Sequence, residues 1–538
     1  MTNEDWVTSD VQDRACAAHD SNLSSLFEVP RNARILLELG VADVADDSLS
    51  KFRERMSGPQ SRRLAREPSV RFRPLATGSI SIERVFNDID KVLDRIAADD
   101  RRVREDQGRL LKHRIERTDV VIVGAGFTGL SAAHEFNKGG VDFVLLEARD
   151  RVGGRVEAAR NGLGERIDSG GQFLCEDMPE LMALVKARGK TLVETHVEGD
   201  FVTQPRMSKK EAERTYLASM AIRDRMNAIA PDDPDIAGLT VAAWLDRQND
   251  PGEAKAAFRS MIEGLWCQAM EKLPLWHLID NDRRITNEVA ELQYFVRETM
   301  HSLADDLARD LGDRLRLNAP VSTMEWGPGR VRLILAAGSI QVRAALVAVP
   351  PMMASKLEFV PSLPAALERA LGVWQSGAVI KMLVRYPAAF WRAKGLSGML
   401  MWRDPPALFA CDVSRDDGHA ALVVFVGGPL ALRWRELGDA ALRAEVAARL
   451  EEALGTEAAG FTDLSYRDWT GDRWSGGGYS DLIVDATATN AEQTILAGAP
   501  PVYFASSELS PSFPGYVEGA IIAGRIAARK IITDLYPQ

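Results

Sequence analysis

A glycine-rich segment that begins at residue 120 constrains the fold of this chain more than any other part of its sequence. It reads VVIVGAGFTGLSAAHEF, in which the apolar run Val120–Val123 ends directly on a glycine. Thr128–Lys138 then shows helical periodicity, and a second apolar run follows over Val141–Leu146. Because an apolar run, a helix and another apolar run in this order are typical of a βαβ unit, the segment predicts one.

The glycines of this segment have the spacing GxGxxG, as Gly124, Gly126 and Gly129. The first permits a tight turn, the second lets the backbone approach a pyrophosphate, and the third lets the helix pack closely on the sheet. The helix N-terminus then faces the phosphates, and Glu147 after the second strand is placed to bind a ribose hydroxyl. A turn that binds nothing is the alternative, but the strand, helix and acid in register favour a dinucleotide site. The motif leaves NAD and FAD open, since both use this unit.

The length and charge of the chain indicate how many domains it has and what kind of partner it binds. At 538 residues it exceeds what one hydrophobic core normally supports, so we expect two or more domains. A formal charge of −11 disfavours nucleic-acid binding, because phosphate contacts depend on a surplus of Lys and Arg. We therefore expect a small-molecule partner.

The sequence also bears on location and on metals. No apolar run approaches the roughly 18 residues of a membrane helix, and the N-terminus MTNEDWVTSD lacks the features of a signal peptide. We therefore expect a cytoplasmic protein without a membrane partner. The four cysteines, Cys16, Cys175, Cys267 and Cys411, lie far apart, so neither a metal site nor a disulfide framework is expected.

The residues after the second apolar run carry a resemblance to a known family. Glu147–Arg155 reads EARDRVGGR, which resembles the second glycine motif of the flavin-containing amine oxidase superfamily, of the monoamine oxidase type. The resemblance implies that the cofactor is FAD and that the loop of Gly153, Gly154 and Arg155 wraps its pyrophosphate. It extends from about residue 119 to residue 530 and leaves the N-terminal part of the chain outside.

Further segments carry the resemblance in the order that the family has them. Ile167–Phe173 resembles the strand and turn that bring backbone against the flavin, and Val321 stands where a valine backbone meets adenine. Tyr503–Glu508 and Pro514–Ala520 resemble the C-terminal signature, whose second part opens the helix beneath the flavin. The cofactor-binding residues that the resemblance implies are Gly124, Gly126, Gly129, Glu147, Ala148, Arg149, Gly153, Gly154, Arg155, Gly171, Gln172, Val321, Glu508, Gly515, Tyr516 and Val517.

One lysine stands inside an apolar strand pattern, at Lys381 within Val379–Leu383. Burying a lysine costs free energy unless it has a partner, so this position favours a special role, with an outward-facing strand lysine as the alternative. The segment resembles the one that carries the family's lysine near flavin N5. The resemblance implies that Lys381 is catalytic and holds a water there.

The segment Trp474–Tyr479 reads WSGGGY, and covalent monoamine oxidases have a flavin-bonded cysteine just before the matching tyrosine. Here that position is Gly478, which implies noncovalent FAD. Tyr479 and Tyr516 match the tyrosines that cage the substrate over the flavin face, and with Phe173 they are the candidate substrate contacts. The implied reaction is hydride transfer from the α-carbon of a hydrophobic or aromatic primary or secondary amine to the flavin. The imine then hydrolyses to an aldehyde or ketone, and O2 is reduced to hydrogen peroxide.

Two departures from the family pattern lie near the expected cofactor. Ser506 stands where the family usually has glycine, and Arg297 and Glu298 stand where a Gly-Gly pair is normal. If Ser506 or Arg297 intrudes on the FAD, another electron acceptor than O2 becomes plausible.

Other functions remain open at this point. An L-amino-acid oxidase needs an arginine in the cavity to pair with a carboxylate, for which Arg297 and Arg385 are candidates. A polyamine oxidase needs an acidic tunnel, and no concentrated acidic motif occurs in the middle of the chain. A non-catalytic FAD-binding protein is the remaining alternative.

These patterns together predict the fold class: α/β, with a two-domain FAD-binding Rossmann-like fold of the glutathione-reductase type and a substrate domain of a mixed sheet plus helices. A helical N-terminal extension precedes it, and we expect a homodimer. The expected division is 1–116 for the extension, 117–194, 291–365 and 472–538 for the FAD-binding domain, and 195–290 and 366–471 for the substrate domain.

Overall fold

The computed structural model describes residues 115–415 and 417–537 of the chain. The expected helical extension over 1–116 therefore lies outside the described residues, except for its last two positions. These two, Ile115 and Glu116, belong to a strand rather than to a helix.

The strands, numbered in chain order, cover short segments throughout the described residues. They are β1 Ile115–Arg117, β2 Val120–Val123, β3 Phe143–Leu146, β4 Ala158–Arg160, β5 Arg166–Asp168, β6 Phe173–Leu174, β7 Leu192–Glu194, β8 Asp200–Gln204, β9 Tyr294–Val296, β10 Leu315–Arg316, β11 Val321–Gly327, β12 Arg330–Leu335, β13 Gly338–Val342, β14 Ala344–Val347, β15 Glu358–Val360, β16 Trp374–Ser376, β17 Val379–Tyr386, β18 Leu396–Trp402, β19 Leu408–Asp412, β20 Ala420–Gly427, β21 Asp463–Asp468, β22 Asp481–Ile483 and β23 Val502–Phe504.

The α-helices are longest in the middle and at the end of the chain. They are α1 Phe127–Lys138, α2 Pro179–Ala187, α3 Lys209–Ala228, α4 Val241–Asp246, α5 Gly252–Trp266, α6 Leu275–Arg284, α7 His301–Arg309, α8 Pro351–Ala354, α9 Ala365–Gly372, α10 Phe390–Ala393, α11 Gly428–Trp434, α12 Asp439–Leu454, α13 Ala491–Ala497 and α14 Val517–Leu535.

A parallel sheet with the strand order β10-β3-β2-β14-β23 forms the nucleotide-binding part. All residues of β2 and β3 are buried, as expected for strands of a parallel sheet covered on both faces. Helix α1 connects β2 to β3, so the predicted βαβ unit is confirmed. Helix α14 crosses α1 closely: a Cβ on Gly524 would lie 2.1 Å from the carbonyl oxygen of Thr128.

A second sheet, with the order β21-β17-β20-β19-β18-β8, forms one wall of the expected substrate region. Its strand β17 is buried over its whole length because β20 and β21 flank it on both sides. A smaller sheet, β1-β13-β12-β11-β15, contains β11, which begins at Val321. A parallel nucleotide-binding sheet beside a mixed sheet with helices confirms the predicted fold class. Within the described residues, the helices are each too short or too polar to cross a membrane.

Candidate active site

A cavity of about 800 Å³ lies between the glycine motifs and the sheet that contains β17. It brings together most of the residues predicted from the sequence. Those lining it are Gly124, Gly126, Glu147, Ala148, Arg149, Gly153, Gly154, Arg155, Gly171, Gln172, Phe173, Val321, Lys381, Tyr479, Gly515, Tyr516 and Val517. The predicted residues Gly129 and Glu508 do not line the cavity; each contacts a residue that does.

The three fingerprint glycines have the separate geometries that their predicted roles require. Gly124 has φ +105°, and a Cβ there would lie 2.7 Å from the carbonyl oxygen of Ala348. A Cβ on Gly129 would lie 1.9 Å from the carbonyl oxygen of Gly124, so this glycine permits the contact between helix and turn. A Cβ on Gly126 would meet nothing within 4 Å, because this position faces open space at the cavity. Of the three fingerprint glycines, Gly126 is therefore the one beside which space is left for a ligand.

The carboxylate of Glu147 is fixed by backbone amides at the edge of the cavity. It accepts hydrogen bonds from the amides of Ala125 at 2.8 Å and Arg149 at 2.9 Å. A carboxylate has about four acceptor positions, so it retains capacity for ribose hydroxyls. The N-terminal residues of α1, Phe127 and Thr128, line the same end of the cavity, which suits a pyrophosphate.

Two of the three arginines of the second glycine motif, Arg149 and Arg155, are held by carboxylates from distant parts of the chain. Arg155 donates to Glu508 at 2.6 Å and to the Ser507 hydroxyl at 3.0 Å. Arg149 donates to Asp472 at 2.6 Å. Glu508 does not reach the cavity itself, but it holds the side chain of Arg155 in the cavity wall.

Removing the charge of Glu508 is expected to destabilise the protein. Burial by itself would raise the pKa of this carboxyl group, but the charge of Arg155 outweighs it and lowers the pKa to about 2. Because the folded pKa lies below the ordinary value of 4.5, the stabilisation is complete above that value and is lost as the pH falls through about 2. Glu508→Gln leaves a buried guanidinium without its ion pair, which costs on the order of 3 kcal/mol in unfolding free energy.

Denaturant unfolding at pH 7 measures this loss. The matched control is Glu457→Gln, which breaks an exposed ion pair with Lys394 and is expected to leave stability unchanged. Equal stabilities for the two variants would contradict the assigned role of Glu508.

Lys381 is buried, so the alternative of an outward-facing strand lysine is wrong. Its ammonium group donates to the carbonyl oxygen of Gly170 at 2.7 Å and to Oε1 of Gln172 at 2.8 Å. An ammonium group has three donors, so one N–H is left for a water or ligand at the cavity. Burial lowers the pKa of Lys381 to about 8, and burial raises the pKa of the neighbouring Asp168 to about 7.

Two tyrosines and two phenylalanines give the cavity an aromatic lining, in which the Phe425 ring lies 5.7 Å from Nζ of Lys381. The Tyr479 ring lies edge-on to Phe425 with ring centroids 5.9 Å apart, and Phe173 lies 6.3 Å from Phe425. The hydroxyl group of Tyr516 donates a hydrogen bond to Glu291. Among the described residues, no such partner is found for the hydroxyl of Tyr479. The two predicted cage tyrosines therefore line one cavity but are anchored differently.

The sequence interpretation missed Phe425, Glu291 and Arg223, all of which line the cavity. Phe425 lies on β20 opposite Lys381, in a register that only strand pairing reveals. Glu291 lies in the loop between α6 and β9, and Arg223 lies on the long polar helix α3. No motif or periodicity in the sequence distinguishes these two from neighbouring surface charges.

The departures from the family pattern have different outcomes. Arg297 pairs with Asp417 at 2.9 Å and Glu298 contacts Thr191, and neither departure lines the cavity. Arg297 therefore lies outside the cavity in which the cofactor is expected to bind. Ser506 does line the cavity, and its hydroxyl group is buried without a hydrogen-bond partner in the described part of the chain.

The residues present fit a bound FAD. The open space at Gly126 accommodates a pyrophosphate, and the unpartnered hydroxyl of Ser506 supplies a polar contact that the protein itself does not use. Cys175, Cys267 and Cys411 are buried and do not line the cavity, whereas Gly478 does. This arrangement agrees with noncovalent cofactor binding.

Comparison with known proteins identifies the family. The model of flavin containing amine oxidoreductases matches residues 127–532. The chain belongs to this family. A second model, pyridine nucleotide-disulphide oxidoreductase, matches residues 75–167 and indicates the Rossmann-like FAD-binding domain. As a flavin-containing amine oxidoreductase, the protein uses FAD as its cofactor.

Several members of this amine oxidoreductase family resemble the chain over most of their length. A putative flavin-containing monoamine oxidase of Mycobacterium tuberculosis is 27% identical, with 77% of this chain and 96% of that protein covered. An L-amino acid dehydrogenase of Synechocystis is 25% identical, with 77% and 94% covered. The structure of putrescine oxidase bound to putrescine has a TM-score of 0.73 and 25% identity, with 78% and 100% covered.

Proposed function

We propose that the protein oxidises a hydrophobic primary or secondary amine to an imine, which hydrolyses to an aldehyde or ketone, while O2 is reduced to hydrogen peroxide. Bound FAD supplies the two-electron acceptor for this reaction. The observation that carries the proposal is the placement of Tyr479, Tyr516 and the buried Lys381 in one cavity with the glycine motifs.

The aromatic side chains suit the binding of an amine. The faces of Tyr479 and Tyr516 attract a nitrogen with partial positive charge, and two rings can orient its α-carbon without a formal charge of their own. The free N–H of Lys381 can hold a water next to the reacting atoms, as the family resemblance implies. These residues therefore position the substrate and one solvent molecule.

The wall opposite the glycine motifs favours an apolar substrate. Methionine, leucine and phenylalanine side chains line it, among them Met261, Leu265, Met399, Met401 and Phe409. Burying the apolar part of a ligand against them contributes about 25 cal/mol per Å² of apolar surface. A hydrophobic or aromatic amine fits these walls.

The cavity is less suited to a carboxylate-bearing substrate. Arg385, a candidate for binding one, is bonded to Glu165 instead. Arg223 lines the cavity, but Asp282 accepts two hydrogen bonds from its guanidinium, at 2.8 and 3.1 Å. One bidentate edge of this guanidinium is therefore already engaged within the protein, and Asp282 balances its charge. An acidic tunnel for polyamines also finds little support, since Glu147 and Glu291 are the acidic residues among the described lining.

The anchoring of the tyrosines predicts an asymmetry between two substitutions at one position. Tyr479→Phe is expected to change kcat/KM by no more than about 3-fold, because the ring remains and its hydroxyl group has no partner in the described structure. Tyr479→Leu removes the ring face and is expected to lower kcat/KM by roughly 10-fold or more. Steady-state kinetics with one arylalkyl amine measures both, and equal losses in the two variants would contradict a role for the ring.

Product analysis tests the proposed reaction. Purified protein is incubated with arylalkyl amines, polyamines or L-amino acids in air, and hydrogen peroxide and the carbonyl product are quantified together. We expect equimolar peroxide and aldehyde or ketone with a hydrophobic monoamine. Carbonyl formation without peroxide, only in the presence of an artificial electron acceptor, would show that O2 is not the acceptor.

A further inference from the structure

Glu291 is an acidic side chain in the cavity wall that forms no ion pair within the described residues. It lies in the loop between α6 and β9, and it accepts the hydrogen bond of the Tyr516 hydroxyl. Within the described ranges, no lysine, arginine or histidine lies within ion-pair distance of it. A carboxylate has about four acceptor positions, so most of its capacity remains unused.

The charged groups around Glu291 carry a net negative charge. Arg223 lies nearby, but its guanidinium is bound at two nitrogen atoms by Asp282, which also accepts from Asn227 at 3.0 Å. The cluster therefore contains one positive and two negative side chains. Burial raises the pKa of the Glu291 carboxyl because the anion loses solvation that it has in water, and the counter-charge of Arg223 offsets only part of that loss. A cation in the cavity would supply that counter-charge.

We propose that Glu291 is the recognition residue for a protonated amine, so that the ligands of this cavity are apolar organic monocations without a carboxylate group. This inference rests on the proposed function and names its substrate class. The cation binds at the hydroxyl end of Tyr516, beside the aromatic pair. A zwitterionic amino acid is disfavoured because its carboxylate would face the negative charge of Glu291, while Asp282 already balances the charge of Arg223.

The position of Glu291 makes it a specificity residue rather than a fold element. Its neighbour Leu292 and the preceding Ala290 also line the cavity, so the loop presents its side chains to the ligand space. Glu288, three residues earlier in the same loop, is exposed and does not line the cavity. The chain thus offers a matched control that removes the same charge from the same loop outside the site.

The test uses ligands that bind but cannot be oxidised, because their α-carbon carries no hydrogen. Cumylamine is a cation, cumyl alcohol is its neutral analogue, and α-methylphenylglycine carries a carboxylate in place of one methyl group of cumylamine. Dissociation constants for FAD-loaded protein are measured by calorimetry at pH 7.5. Glu291→Gln keeps an acceptor for the Tyr516 hydroxyl and removes only the charge.

We expect Glu291→Gln to weaken cumylamine binding by about 10-fold or more and to leave cumyl alcohol unchanged. Glu288→Gln should leave both unchanged. Equal effects of Glu291→Gln on the amine and the alcohol, no effect on either, or the same loss in Glu288→Gln would overturn the proposal.

The wild-type protein provides a second measurement if the Glu291 variant does not fold. Cumylamine should then bind about 10-fold or more tightly than both cumyl alcohol and α-methylphenylglycine, and similar constants for the three ligands would overturn the proposal. Because binding is measured without turnover, its outcome is independent of whether amines reduce the flavin. If the protein binds cations selectively but does not oxidise amines, the proposed function is contradicted and the role of Glu291 in cation binding is supported.

Discussion

Gly126→Val is expected to weaken FAD binding strongly while the apoprotein still folds. Gly126 has φ −72° and ψ 178°, a conformation open to any residue, and a Cβ there meets no protein atom within 4 Å. The valine side chain would instead occupy the space that a pyrophosphate needs at the N-terminus of α1. We expect the FAD dissociation constant to rise by on the order of 100-fold, about 2.7 kcal/mol. Fluorescence titration of apoprotein with FAD measures it.

The control for this prediction is Gly129→Ala, in the same motif. Its added methyl group would lie 1.9 Å from the carbonyl oxygen of Gly124, so backbone must move. We expect this variant to lose about 3 kcal/mol or more of folding stability even without FAD. Circular dichroism of the two apoproteins distinguishes a variant that folds but binds FAD weakly from a variant whose fold is destabilised. Loss of fold in Gly126→Val, or unchanged FAD affinity in that variant, would contradict the assignment of Gly126 to the pyrophosphate.

Lys381→Met is expected to slow the reaction of the reduced protein with O2 by roughly 100-fold or more, a magnitude typical of losing a positioned proton donor. The ammonium group of Lys381 has one N–H that is free to donate into the cavity. Methionine has a similar volume but carries no charge. Burial lowers the pKa of Lys381 to about 8, so the charged form is present below that value and is lost as the pH rises through it. The wild-type rate should therefore fall with rising pH near this value, and the variant should lack this step.

Stopped-flow mixing of anaerobically reduced protein with O2 measures these rates across pH. The control is Lys394→Met, since this lysine is exposed and pairs with Glu457 far from the cavity lining. Wild-type rates and an unchanged pH profile in Lys381→Met would contradict a role for this lysine in the reaction.

The parts of the structure that local sequence determines were predictable. The apolar run Val120–Val123 coincides with β2 residue for residue, because a short buried strand before a glycine turn has a distinctive pattern. The burial of Lys381 followed from the apolar residues on both sides of it in β17. The tight turn at Gly124 and the close packing at Gly129 also followed, because neither position leaves room for a Cβ atom.

The parts that depend on packing between distant segments were not predictable. Arg297 and Ser506 are both departures from the family pattern, yet one pairs with Asp417 outside the cavity lining and the other lines the cavity. Glu291 resembles any loop glutamate until the fold places it beside Tyr516. Because the partners of such polar side chains come from remote elements, no local periodicity reveals them.

The most direct test of amine oxidation by bound FAD is the visible spectrum of the purified protein under anaerobic conditions. We expect a flavin band that an arylalkyl monoamine bleaches, that L-amino acids leave intact, and that returns on admitting air. A protein that contains FAD but is bleached by no amine would contradict the proposed function. Bleaching by L-amino acids alone would instead assign the cavity to the competing substrate class.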